Sequence, residues 1–332
     1  MENLLEVQNL HVHFKVTEGL VLAVRGIDIS VQPGEVLGLV GESGCGKSVT
    51  SLAVMGLLPK PHGFVAQGSI LFEGRDLTEL SPLEMQRLRG SKLAMIFQEP
   101  MTALNPVLPI GEQMGEVLEV HQGLRLGSAA NLDKCVEVLE LVAIPRARQV
   151  LNEYPHQFSG GMRQRIMIAM ALSCNPSILI ADEPTTALDV TIQAQILDLL
   201  RDIKSKLGTA IIFITHDLGV IYEMADRVAV MYAGKIVEEA SVKKLFSEPG
   251  HPYTRGLMRS RPGRMARHER LFCIQGTVPD STNMPPGCAF EPRCEHRLPQ
   301  CQTGEPDLLP IGSDGDARHL CRCWIAKEGE VS

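Results

Sequence analysis

Gly41-Glu42-Ser43-Gly44-Cys45-Gly46-Lys47-Ser48 fits the phosphate-loop pattern G-x-x-x-x-G-K-[ST] at every fixed position. Such a loop binds a nucleotide triphosphate when it follows a buried strand and opens a helix. Upstream, Gly34-Glu35-Val36-Leu37-Gly38-Leu39-Val40 reads as a turn followed by an apolar run, the mark of a strand covered on both faces. Downstream, Val49 to Leu58 is mostly apolar and free of Pro, as expected for a helix entering a core. The glycines let successive N–H groups turn inward around phosphate oxygens, and the helix N-terminus adds its partial positive charge. Lys47 is placed to reach the β and γ phosphates, and the Ser48 hydroxyl to ligate Mg²⁺.

Composition bounds the rest. The 332 residues carry 44% hydrophobic residues and a formal net charge of −7, which suits a soluble chain of roughly two domains and argues against a broad nucleic-acid-binding face. No apolar run is long enough to span a bilayer, and Met1-Glu2-Asn3-Leu4-Leu5-Glu6 lacks a basic start and an apolar core of signal-peptide type. The expected location is therefore cytoplasmic, and the nine cysteines are expected to be reduced or metal-bound.

Taken in order, Leu4 to Phe14 and Val21 to Val31 read as two strands of an antiparallel ribbon. Phe14 could stack on an adenine ring or simply be a half-buried strand aromatic. Pro59 to Gly68 is turn-rich, and Ser69 to Phe72 is a short strand. Ser81-Pro82-Leu83-Glu84 carries a capping box that starts a helix. Leu93 to Phe97 is a buried strand delivering Gln98 at its carboxyl end, where ligands of open α/β sheets bind; Gln98 could reach Mg²⁺ or an attacking water, or merely end the strand. Ile110 to about Asn152 is helical and reads as an inserted lobe. Ser159-Gly160-Gly161 precedes a helix from Met162 to Leu172, a capped start whose bare amides also suit an anion. Ser177 to Ala181 is a buried strand ending in Asp182-Glu183, two carboxylates that call for a cation or a donor. An Asp holding Mg²⁺ and a Glu polarising water supply that need. Leu188-Asp189 precedes a helix from Val190 to Leu207; Ala210 to Ile214 is a strand followed by Thr215-His216-Asp217; Tyr232-Ala233-Gly234 turns a hairpin.

Together these residues resemble the ATP-binding subunits of ABC transporters over roughly Leu4 to Pro262. The resemblance implies a P-loop NTPase cassette of α/β class: a mostly parallel core sheet, an antiparallel ribbon and a helical lobe at about 100–175, with the cassette at 1–260 and a small Cys-rich domain at 261–332. It implies Gly41 to Ser48 as Walker A with Val49 beside it, Gln98 as the Q-loop residue and Ser159-Gly160-Gly161 as the signature core. It also implies Asp182 as the Walker B aspartate, Glu183 as the catalytic carboxylate, Asp189 in the D-loop, His216 as the switch histidine and Phe14 as the adenine platform. Mg²⁺ would be held by Ser48, Gln98 and Asp182. In this family each subunit offers its Walker motifs to one ATP and its signature to the other, so a second ATPase subunit is required.

Glu248-Pro249-Gly250-His251-Pro252-Tyr253-Thr254, and Gln98 to Pro106, are similar to the oligopeptide and dipeptide importer branch, which includes nickel and D,D-dipeptide systems. That branch implies two different ATPase subunits beneath two transmembrane permeases, fed by an extracytoplasmic solute-binding protein, at the cytoplasmic side of the inner membrane; Gln98 to Pro106 would receive the permease. Peptides are the expected cargo, with nickel or another small solute as the alternative. A soluble ABC ATPase acting on nucleic acid is the reading from a different class, and no nucleic-acid partner is expected.

From Arg261 the chain turns rich in Pro, Arg, Gly and Cys, and Cys288-x5-Cys294-x6-Cys301 is followed by Cys321 and Cys323. Four thiolates gathered by loops would hold Zn²⁺ or an iron–sulfur cluster. Gly287 to Cys294 resembles the C-terminal domain of peptide-importer ATPases, some of which carry a [4Fe-4S] cluster. That likeness assigns Cys288, Cys294, Cys301 and Cys321 as ligands, with Cys323 open in place of Cys321 as the fourth.

Overall fold

The computed structural model describes residues 3–17, 19–98, 103–186, 189–260, 272–311 and 318–328. Glu99-Pro100-Met101-Thr102 of the expected permease-facing stretch, Leu188 beside Asp189, and the expected boundary at 260/261 with the start of the tail lie outside the described residues.

In chain order the elements are β1 (Leu5–Val16), β2 (Gly19–Val31), β3 (Val36–Val40), α1 (Lys47–Val54), β4 (Gly63–Phe72), β5 (Arg75–Asp76), α2 (Pro82–Leu88), β6 (Leu93–Ile96), α3 (Ile110–Gln122), α4 (Ala129–Leu141) and α5 (Ala147–Val150). Then follow α6 (Gly160–Leu172), β7 (Ile178–Asp182), α7 (Val190–Leu207), β8 (Ala210–Ile214), α8 (Leu218–Met224), β9 (Arg227–Tyr232), β10 (Lys235–Ser241), α9 (Val242–Ser247), α10 (Pro252–Arg259), β11 (Leu309–Pro310), β12 (Leu320–Cys321) and α11 (Trp324–Glu328). They form two compact units, the first made of Met1–Val31, Val36–Thr78 and Thr215–Ser332, the second of Gln32–Glu35 and Glu79–Ile214.

The first unit holds an antiparallel sheet in the order β2-β1-β4-β5. Its strand β4 begins at Gly63, six residues before the expected Ser69, because β1 offers a pairing partner along that whole length: Phe14 faces Gly63 and Val12 faces Val65. A turn-rich composition yields to a ladder when the neighbouring strand supplies the hydrogen bonds. The same unit carries a mixed set of strands. β3, buried at all five positions, pairs parallel with β9, and β9 pairs antiparallel with β10 through Ala233-Gly234, both at positive φ as a two-residue hairpin turn requires. β10 then pairs with β12, and β12 with β11.

The second unit is built on the parallel strands β6, β7 and β8, with β7 central and β7 and β8 buried throughout. All-apolar strands such as Ala210-Ile211-Ile212-Phe213-Ile214 need cover on both faces, and helices α2 to α7 belong to this unit. The helix starts follow local chemistry. Ser81 and Glu84 form the capping box, Ser159 caps α6 by accepting from the Met162 N–H, and Asp189 caps α7 by accepting from the Ile192 N–H at 2.9 Å.

Candidate functional site

The phosphate loop grows from the carboxyl end of β3. Gly41 has φ 155°, and a Cβ there would lie 2.1 Å from the Met231 carbonyl oxygen; Gly46 has φ 109°, and a Cβ would lie 2.6 Å from the Ala23 oxygen. Both positions accept only glycine, so the loop can pass close to β9 and β2 while presenting bare backbone. Gly46 is also the N-cap of α1 and offers no side-chain acceptor to its first turn, the arrangement of a helix start that receives an anion. Lys47 is 7% exposed, and its Nζ donates to the Gly41 oxygen at 2.8 Å, the Glu42 oxygen at 3.1 Å and the Cys45 sulfur at 3.7 Å. The ammonium is thus held inside the loop by acceptors that a phosphate would outcompete. Burial pushes the Cys45 thiol up, keeping it neutral beside that lysine. Glu42 is gripped from distant sequence: its N–H donates to Tyr253 Oη at 2.8 Å, and its carboxylate pairs with Arg293 at 2.7 Å. Ser43 and Gly44 are exposed, and Ser48 and Val49 are half-buried on α1. Phe14 is half-buried on β1 with its ring over Gly63. His216 is exposed between the chain end of β8 and α8, whose N-cap Asp217 accepts from the Gly219 N–H at 2.7 Å.

In the second unit the candidates gather at the end of β7. Asp182 is the last residue of the strand and is 4% exposed. Glu183 follows in the left-handed region at φ 48°, its N–H donating to the Ile214 oxygen at 2.9 Å. Glu183 Oε2 accepts from Gln98 Nε2 at 3.0 Å and from Thr186 Oγ1 at 2.8 Å. Gln98 and Glu183 are therefore brought together. Ser159 and Asp189 cap their helices, and Gly160 and Gly161 form the first turn of α6. Just beyond, Gln164 Nε2 donates to the Pro184 oxygen at 2.6 Å, tying α6 to the turn after Glu183. Sequence reading assigned Thr186, Tyr253 and Arg293 no role at the site, although Tyr253 and Arg293 lie in stretches that carry the family resemblance. Thr186 had a signal, a hydroxyl three residues after a strand-end carboxylate; the other two act across the whole chain length and had none.

The tail requires a correction. Among the described residues no group of three or more His, Cys, Asp or Glu side chains is arranged to hold a metal ion, so the expected [4Fe-4S] set of Cys288, Cys294, Cys301 and Cys321 is not formed. Cys321 lies on β12 opposite Glu238 and is directed toward Gly250. Cys288, Cys294 and Cys301, with Cys323, instead border a cavity of about 20 Å³ that His251, Phe290, Trp324 and Ile325 also line. That is room for about one water, far short of a four-iron cluster. Burial pushes the Cys288 and Cys294 thiols up to about 11, and Cys321 further. Among the described residues no helix is long and apolar enough to cross a membrane.

The chain matches the ABC transporter family over residues 24–186 and the family described as "Oligopeptide/dipeptide transporter, C-terminal region" over residues 237–301. It is 51% identical to the oligopeptide transport ATP-binding protein AppD of Bacillus subtilis (strain 168) over 328 residues, covering 99% of this chain and 98% of that protein. It is 52% identical to the dipeptide transport ATP-binding protein DppD of the same organism over 325 residues, covering 98% and 95%. Both relatives are named as transport ATP-binding proteins. Among solved structures, the dimeric ATP-binding cassette MJ0796 bound to ADP and Pi superposes with a TM-score of 0.64 at 25% identity, covering 72% of this chain and 98% of that one. The chain therefore belongs to the ATP-binding proteins of ABC transporters, within the group that carries the oligopeptide/dipeptide transporter C-terminal region.

Proposed function

We propose that this chain hydrolyses ATP to drive a peptide importer. The observation that carries the reading is that one chain holds both a phosphate loop closed to any side chain at Gly41 and Gly46 and a strand-end Glu183 bonded to Gln98 and Thr186. On this reading Gly41 to Ser48 and Val49 hold the phosphates, with Phe14 against the adenine. Glu183 takes a proton from the attacking water, Gln98 and His216 orient that water and the γ-phosphate, and Asp189 and Ser159-Gly160-Gly161 serve the ATP shared with a second subunit. The oxygen donors Ser48, Gln98 and Asp182 are of the hard type Mg²⁺ takes. Bound there, Mg²⁺ would neutralise charge developing on the phosphate oxygens.

Residues 1–260 then form the cassette and 261–332 a C-terminal domain. The partners are two membrane permeases, an extracytoplasmic peptide-binding protein and a second, homologous ATPase subunit, assembled at the cytoplasmic face of the inner membrane. The close, full-length likeness to peptide transport ATP-binding proteins supports peptides as cargo. The test is reconstitution of this chain with its neighbouring permeases, partner ATPase and binding protein in liposomes. Peptide-stimulated ATP hydrolysis with peptide uptake is expected. Hydrolysis that ignores peptide and responds to another solute would overturn the peptide assignment.

A further inference from the structure

Glu42 is anchored through all of its polar groups. Its N–H donates to Tyr253 Oη at 2.8 Å, its carbonyl accepts from Lys47 Nζ at 3.1 Å, and its carboxylate takes two parallel bonds from Arg293, at 2.7 Å to Oε2 and 3.0 Å to Oε1. Two of these anchors come from far downstream, and Arg293 is 251 residues away in sequence. Arg293 is not a loose surface charge. Its side chain is 5% exposed, against 27% for Glu42, and all five of its N–H donors have acceptors. Besides Glu42 these are the Gln275 oxygen at 3.0 Å, Tyr232 Oη at 3.3 Å and the Ile274 oxygen at 3.4 Å. Phe290, in the turn just before Arg293, packs on Tyr232 and Tyr253 with ring centroids 5.2 and 5.5 Å away. The guanidinium thus reaches the loop along a fixed course set by aromatic packing.

The chemistry of the loop gives this contact a consequence. Phosphate binding relies on backbone amides and Lys47, and an uncompensated carboxylate inside the same eight residues would repel the polyphosphate at short range, where partial burial weakens screening. A guanidinium stays charged at every working pH and matches a carboxylate bidentately. We propose that Arg293 is a positioning residue for ATP binding: it cancels the charge of Glu42 and, together with Tyr253, fixes the start of the phosphate loop. The segment before Cys294 therefore sets how tightly the loop holds nucleotide, and a displacement of that segment loosens ATP.

The test uses the full chain and MgATP, read by displacement of a fluorescent ATP analogue. Arg293→Met should weaken MgATP binding about tenfold, the scale of one partly buried charge left unpaired. Arg293→Lys, which keeps the charge and loses the fork, should weaken it about threefold. Adding Glu42→Gln to Arg293→Met should recover most of the loss, which a merely structural role for Arg293 would not allow. Thermal melting of each nucleotide-free variant reports folding separately. Should Arg293→Met fail to fold, the exchanged pair Glu42→Arg with Arg293→Glu decides: binding within about tenfold of the unmodified chain supports the proposal, and lost binding overturns it. Unchanged affinity in Arg293→Met, or a double variant as weak as Arg293→Met, overturns it too. An unmodified chain that binds no MgATP would overturn the nucleotide reading itself.

Discussion

Two buried strands end the same way and for opposite reasons. β3 runs into Gly41 at φ 155°, and β7 runs through Asp182 into Glu183 at φ 48°, so each strand is followed at once by a left-handed residue and a change of direction. At Gly41 the side chain is missing because there is no room for one: a Cβ would lie 2.1 Å from the Met231 oxygen, and the working groups are backbone amides. At Glu183, on the proposed reading, the side chain is the working group. Its backbone carries the roughly 1 kcal/mol that a non-glycine residue costs in that region, and bonds to Ile214, Gln98 and Thr186 hold it there. Where the backbone does the chemistry the side chain is removed; where the side chain does it, the backbone bends around it. Left-handed non-glycine residues concentrate at functional sites for this reason.

The difference predicts which quantity each end controls. Glu183→Gln keeps the shape and a hydrogen-bonding side chain but removes the base, so ATP turnover should fall by about 10²–10⁴-fold with ATP affinity unchanged. Phosphate release by the assembled transporter, beside nucleotide binding by the full chain, measures both; retained turnover would mean that Glu183 is not the base. Gly41→Ala should do the reverse in kind. The added methyl forces the loop away from β9, so ATP binding should drop by at least about tenfold and the melting temperature should fall with it. Normal ATP binding by Gly41→Ala would erase the distinction between the two ends.

The anchors of the two ends differ in their response to acid. The phosphate loop leans on Tyr253 in α10, whose N-cap is His251: Nδ1 accepts from the Tyr253 N–H at 3.0 Å, so the ring must be neutral there. Burial lowers His251 to about 4, with Arg322 also lowering it and Glu238 opposing. The unfolded chain, titrating near 6.5, therefore binds more protons than the folded chain between about pH 6.5 and 4. The His251 contribution is fully present above that window and is lost as pH falls through it, up to about 3 kcal/mol. Glu183 accepts from Gln98 and Thr186, two side chains with no charge to change. Hydrogen exchange should show α10 losing protection between pH 7 and 5 while β7 and α7 keep theirs, and His251→Asn should flatten that pH dependence. Equal loss in both units would remove the contrast.

Legibility in the sequence follows the distance over which the physics acts. The phosphate loop, the Ser81–Glu84 capping box, α7 and β8 are local patterns, and the structure places α7 and β8 at the expected residues. The start of β4 was not legible, because Gly63 belongs to a strand only through its pairing with Phe14, 49 positions earlier. The tail misled for the same reason. Cysteine spacing states how many thiols there are and not which way each turns, and Cys321 faces Glu238 and Gly250 on β12 while its expected partners border a different cavity. The Arg293 contact with Glu42 lay furthest out of reach, since nothing in either local sequence names the other.

The smallest effect tests how finely Glu183 is aimed. Thr186 and Gln98 share one acceptor, Glu183 Oε2, at 2.8 and 3.0 Å, and the Thr186 N–H adds a bond to the Glu183 carbonyl at 3.2 Å. Thr186→Val keeps that backbone bond and the β-branched shape, and removes only the hydroxyl. The carboxylate keeps its bond from Gln98, so its charge remains partly satisfied and the fold should lose no more than about 1 kcal/mol. What goes is one donor fixing the carboxylate plane, and a general base works only within hydrogen-bond reach of the proton it takes. Turnover should therefore fall about three- to tenfold with unchanged ATP affinity, in the same sense as Glu183→Gln and much smaller. A Thr186→Val variant that instead loses ATP affinity would show that this end of β7 also governs binding, and the division of labour between the two strand ends would not hold.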